Sequence, residues 1–169
     1  MTMRDELLEG VLHGAIFPAL AELPPKFYTP EALQLQLAIG LQESKLKDRW
    51  QVLSGGRKGP ARSFWQFEQG GGVKGVLTHP ATATLAAEAC KRHGVATSAV
   101  LVWSAMETND VLAATFARLL MWTDPRPLPP PDDTKGAWAY YVRNWRPGQP
   151  HPATWPAHWI RCRRFVFGS

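Results

Sequence analysis

Only two of the 169 residues are cysteine, Cys90 and Cys162. That is too few for a disulfide framework, so a hydrophobic core has to hold the fold. No apolar run approaches the length of a bilayer span. The N-terminus lacks the basic region, apolar block and small-residue cleavage site of a signal peptide. The expectation is a soluble protein made in the cytoplasm. Long runs of like charge are missing too: apart from Arg161, Arg163 and Arg164, the basic residues are dispersed. They do not collect on one helix face, which argues against nucleic acid as a partner. Gly70-Gly71-Gly72-Val73-Lys74-Gly75 lacks the ending of a phosphate-binding loop, and no Gly-x-Ser-x-Gly elbow occurs. His79, Cys90 and His93 match no zinc spacing. No metal and no cofactor is expected.

What is present fits one compact globular domain. The hydrophobic fraction is 45% and the charged fraction 20%, both ordinary for a soluble chain with a core. The net charge of +5 favours an anionic partner, among which the bacterial wall is a candidate. Eight tryptophans are many for this length. Most serve packing, but an indole also offers a large apolar face on which a sugar ring can stack.

Along the chain, Leu7, Leu8, Val11, Leu12, Ala15 and Ile16 recur with a helical period within 4–23, ended by Pro24-Pro25. Thr29-Pro30-Glu31 opens a second helix, with Thr29 as N-cap and Pro30 in the first turn, running to about Leu46. From Gln51 to Gly75 seven glycines surround Phe64-Trp65-Gln66-Phe67, which predicts loops with room for short strands; Ser63–Phe67 would tolerate one. Helices are expected at 82–93, stopped by Gly94, and at 98–106, 109–122 and 134–144. Nine of the fifteen prolines lie between Pro125 and Pro156. That stretch cannot be one helix and reads as an extension (125–169) in which Trp145, Trp155 and Trp159 anchor an extended tail onto a core (1–124).

One residue stands out in the second helix. Leu35, Ile39 and Leu46 share an apolar stripe, and Glu43 falls on the same stripe. A carboxyl there is costly when charged, so burial raises its pKa toward the range a general acid needs. The bland alternative is a glutamate reaching solvent at a fraying helix end, beside Lys45, Lys47 and Arg49.

Glu43-Ser44, followed by Ala61, Ser63, Phe64, Trp65 and Gln66 in order, resembles the lytic transglycosylase and goose-type lysozyme family. Ser63 stands where that family usually has glycine, and Phe64-Trp65 where it has a Leu-Met type pair. Its late Tyr-Asn pair has Tyr140 and Tyr141 as candidates, with Trp122-Thr123-Asp124 at the equivalent helix end. The resemblance implies a mainly α, lysozyme-like domain that cleaves peptidoglycan glycan strands between N-acetylmuramic acid and N-acetylglucosamine, with Glu43 as the catalytic acid. Ser44 and Gln66 would orient the acid or the sugar, and Phe64 and Trp65 would shape the pocket wall. A transglycosylase needs no second carboxylate, whereas a hydrolase does, and Asp48 and Glu68 are the nearest choices. The run Tyr140 to Gly148 is similar to sequences from tailed bacteriophages. That keeps open a virion-associated enzyme acting on the host wall, and also a non-enzymatic virion or assembly protein that docks on other virion proteins.

Overall fold

A computed structural model describes residues 4–168. The chain is mainly helical, with one two-stranded sheet among the described residues. Helix α1 (Glu6–Val11) is capped by Asp5, whose Oδ1 accepts from the Leu8 N–H at 3.2 Å. A wider π turn over Leu12–Ile16 joins it to α2 (Phe17–Ala21). Pro18 has no N–H to donate and sits in the first turn of α2, where the helix rewinds from π to α.

Helix α3 (Pro30–Ser44) starts as the sequence predicts: Thr29 Oγ1 accepts from the Ala32 N–H at 3.1 Å. It differs from the expected amphipathic helix in being buried on every side from Ala32 to Leu41. It is the central rod of the fold, with α7 (Asp110–Trp122) and α9 (Trp155–Phe167) packed against it. Its buried glutamines tie it to neighbouring segments. Gln34 Nε2 donates to the Pro131 carbonyl at 3.0 Å, and Gln36 Nε2 to that of Ala114 at 2.8 Å.

Helix α3 ends at Ser44, two residues before the expected Leu46. Lys45 (φ 57°) and Leu46 (φ 53°) turn left-handed, and the Leu46 N–H donates back to the Gly40 carbonyl. Leu46 thereby reaches the core by folding over the helix end, not by continuing it, and is 2% exposed. A Cβ on Gly40 would lie 2.3 Å from Leu46 Cδ2 and 3.3 Å from Trp65 Nε1. Gly40→Ala is therefore expected to lose about 1–3 kcal/mol of stability in urea unfolding, despite the better helix propensity of alanine.

Strands β1 (Trp50–Val52) and β2 (Lys58–Arg62) form an antiparallel hairpin, pairing Trp50 with Arg62 and Val52 with Lys58. Ser63–Phe67, which would tolerate a strand, does not form one. Ser63 (φ 75°) and Gln66 (φ 53°) are left-handed, so the segment is a tight turn closed by a bridge between Arg62 and Phe67. Helices α4 (Lys74–Thr78), α5 (Ala83–Arg92), α6 (Ala99–Ala105) and α7 follow. The last three agree with expectation within a residue or so. Gly94 (φ 67°) stops α5, and Asn109 caps α7 through the Leu112 N–H.

Helix α8 (Thr134–Trp145) also lies where expected. The extended tail does not: Trp155–Phe167 is a helix, with Pro156 in its first turn, where a missing N–H costs nothing. Helix α9 lies along α3 and buries Trp155, Trp159 and Cys162. Among the described residues, no helix is long and apolar enough to cross a membrane.

Candidate functional site

Glu43 sits on the last turn of α3, partly buried. Its Oε1 accepts a 2.5 Å hydrogen bond from the Tyr141 hydroxyl of α8. Its Oε2 has no hydrogen bond among the described residues and is not sealed from solvent. Burial raises the Glu43 pKa to about 7; the Tyr141 bond works against that rise, and the charge of Glu68 adds to it. When Glu43 is protonated, Oε1 is occupied as an acceptor, so the acidic proton belongs on Oε2, the open side.

Tyr141 is a fixed donor. Burial, then the charge of Glu43, pushes its phenol far above the usual range, so it keeps its proton at any ordinary pH. It is 2% exposed. Its ring stacks on Trp155, with centroids 5.2 Å apart and planes at 6°, and Trp155 stacks in turn on Trp159 at 5.8 Å. Trp138 closes the side at 5.4 Å, and Trp155 Nε1 donates to the Thr134 carbonyl at 3.1 Å. The tryptophans of α8 and α9 thus fix the group that touches the carboxyl.

The turn after the hairpin is fastened to the same helix end. Ser44 Oγ donates to the Phe64 carbonyl at 2.7 Å and lies 3.2 Å from that of Gly40, so its hydroxyl proton is engaged in joining α3 to the turn. Trp65 is fully buried, with Nε1 donating to the Gln36 carbonyl at 2.9 Å. It is a core anchor and not a pocket wall, because the left-handed turn at Ser63 swings it inward. Phe64 is 6% exposed and covered by the Arg49 guanidinium at 4.6 Å, itself held by Asp110. Gln66 Nε2 donates to the Ser63 carbonyl of its own turn at 2.8 Å. Tyr140 points away from Glu43, donating to the Met121 carbonyl at 2.6 Å. Of the sequence candidates, Glu43 and Tyr141 meet directly, Ser44, Phe64, Trp65 and Gln66 build the adjoining turn, and Tyr140 lies apart.

Glu68 is exposed just beyond that turn, at the margin of an open groove of about 540 Å³. Lys58, Pro60 and Arg62 of the hairpin, Gln69, and Trp103 of α6 also line it. Glu43 is not among the lining residues. Glu68 at the groove's margin nevertheless acts on Glu43 through its charge. Trp103 and Arg62 were not legible as site residues, since only long-range packing brings α6 against the hairpin. Among the described residues, no cluster of three or more His, Cys, Asp or Glu is placed to hold a metal. His93 is engaged instead by Glu22 at 3.0 Å and Asn109 at 3.2 Å.

Comparison of the chain with protein-family models, curated proteins and solved structures finds no match. The functional argument accordingly rests on the site itself. A carboxyl that titrates near neutrality, with one oxygen fixed by a donor and the other free of hydrogen bonds among the described residues, can give up a proton and take it back within one turnover.

Proposed function

We propose that the chain cleaves the bond between N-acetylmuramic acid and N-acetylglucosamine in peptidoglycan, as a lytic transglycosylase or muramidase of lysozyme-like fold. The observation that carries this reading is the Glu43 carboxyl, held near neutral pKa on a helix end, with Oε1 bound by Tyr141 and Oε2 without a hydrogen bond among the described residues. Glu43 donates its Oε2 proton to the glycosidic oxygen as the C1–O bond breaks and an oxocarbenium-like charge develops. The resulting carboxylate then takes the proton of the muramoyl 6-hydroxyl as that oxygen attacks C1. A 1,6-anhydro end forms, no water is consumed, and Glu43 is protonated again. Hydrolysis replaces the 6-hydroxyl by water, and Glu68, whose charge acts on Glu43, is then the candidate second carboxylate. Tyr141 keeps the carboxyl in one orientation through both proton transfers.

Digestion of purified sacculi followed by mass spectrometry tests this. Anhydro ends mark the transglycosylase, reducing ends the muramidase, and no soluble muropeptide of either kind overturns the proposal. The competing reading is a non-enzymatic virion or assembly protein. It has in its favour Ile160 and Phe167, exposed by 42% and 39% on the outer side of α9, and it predicts no turnover.

The pH profile gives an independent check. The first step needs protonated Glu43, so kcat/KM is expected to fall as pH rises through about 7. Tyr141→Phe removes a bond that favours the carboxylate, which moves this limb to higher pH, with a rate loss on the order of tenfold. Glu68→Gln removes a like charge and moves it to lower pH. Dye release from labelled sacculi reads both. Two unmoved limbs would show that the titrating group is not Glu43.

A further inference from the structure

The groove beside Glu68 holds a fixed guanidinium, that of Arg62, which acid catalysis by Glu43 does not require. Lys58 and Arg62 both converge on Glu107, with Arg62 Nε 3.2 Å from Glu107 Oε2. Two cations on one carboxylate leave one positive charge over on the hairpin side, and the exposed Glu68 at the groove's margin carries the opposite charge. The Arg62 guanidinium is immobilised. Its Nη1 donates to the Gly59 carbonyl at 2.5 Å and to that of Ala61 at 3.0 Å, and its Cζ lies over the Trp103 ring, 4.3 Å from the centroid. The side chain is 11% exposed. Nη2 nevertheless has no hydrogen bond among the described residues and is not sealed from solvent. Trp103 Nε1 is spent on the Pro60 carbonyl at 2.8 Å, so the indole contributes a wall rather than a donor.

A guanidinium fixed on three sides with one N–H-bearing nitrogen open is preorganised for an oxyanion. A neutral sugar ring makes poor use of it. On a peptidoglycan strand the backbone sugars are uncharged, and the carboxylates belong to the peptide attached to each muramoyl lactyl group. The tight turn from Ser63 to Phe67 separates the two features: Glu43 and the end of α3 adjoin Phe64, while Arg62 and Glu68 flank the turn at the groove. Glu43 and the groove thus adjoin the same turn, Glu43 itself not lining the groove.

We propose that this groove binds a stem-peptide carboxylate of the strand, with Arg62 as the principal contact and Lys58 in support; the inference rests on the peptidoglycan-cleaving function proposed above. Selection for peptide-bearing over stripped glycan would then be built into the hairpin, separately from the catalytic acid.

Titration calorimetry on the Glu43→Gln protein tests this, using soluble glycan chains with their peptides and the same chains after amidase removal of the peptides. Peptide-bearing chains are expected to bind about tenfold tighter. Adding Arg62→Gln should abolish that preference and leave the affinity for stripped chains in place. Because Arg62 also packs the hairpin against α6, the half-exposed Lys58→Ala serves as the second variant, with an expected loss of about threefold in preference. Equal affinity for both kinds of chain, or a preference that survives both variants, overturns the peptide site. Muropeptide release by the unaltered protein would in that case leave the catalytic proposal standing. If neither chain binds and nothing is released, both fall.

Discussion

Glu43→Gln should release soluble muropeptide from sacculi at a rate lower by a factor on the order of a thousand or more, while the protein stays folded. Glutamine is nearly isosteric and can still accept the Tyr141 hydroxyl, but it has no acidic proton to give. The same change should stabilise the protein above neutral pH. In the unfolded chain the carboxyl ionises near 4.5, and in the fold near 7. Between those values the native state keeps a proton that the unfolded state has lost, so rising pH favours unfolding until both are ionised. The gap corresponds to about 3 kcal/mol at most, and about 2 kcal/mol after allowing for solvent on the Oε2 side. Glutamine carries no such penalty. Thermal unfolding should therefore show the variant more stable by about 2 kcal/mol at pH 8 and no more stable at pH 4. Retained turnover would remove Glu43 as the acid, and an equal effect at both pH values would deny its burial.

Trp155→Ala is expected to cost about 3–5 kcal/mol in denaturant unfolding. Trp155 is 1% exposed and stacks between Tyr141 and Trp159, and Trp138 closes on it at 5.8 Å. Truncation opens a cavity at the junction of α8 and α9. It also removes the flat wall that fixes the Tyr141 ring, so activity should fall further than the loss of folded protein explains. A cost below about 1 kcal/mol would show that the aromatic column does not hold the two helices together.

What the sequence disclosed was what local chemistry controls. Thr29 with Pro30, and Gly94, are signals readable from a few neighbouring residues, and the start of α3 and the end of α5 fall where those residues put them. Pro156 misled because proline density was weighed without regard to position, although a proline in a first helical turn is compatible with α9. The stripe of Leu35, Ile39, Glu43 and Leu46 picked out the carboxyl that the structure buries. The physical cause is different: α3 is surrounded, and Leu46 arrives by folding back over Gly40. Tyr140 and Tyr141 could not be told apart in sequence. Adjacent residues on a helix point roughly 100° apart, and only the docking of α8 decides which one faces Glu43. Arg62, Trp103 and the aromatic column were beyond reach for the same reason, since each depends on segments distant in the chain.

Glu43 and Tyr141 are 98 residues apart, and the tryptophan that backs Tyr141 comes later still. A nascent chain still on the ribosome therefore carries an acid without its partner long after α3 has been made. The fixed orientation and raised pKa of Glu43 thus wait until α8 and α9 have been made and have packed onto α3, so the carboxyl takes its final state late in synthesis.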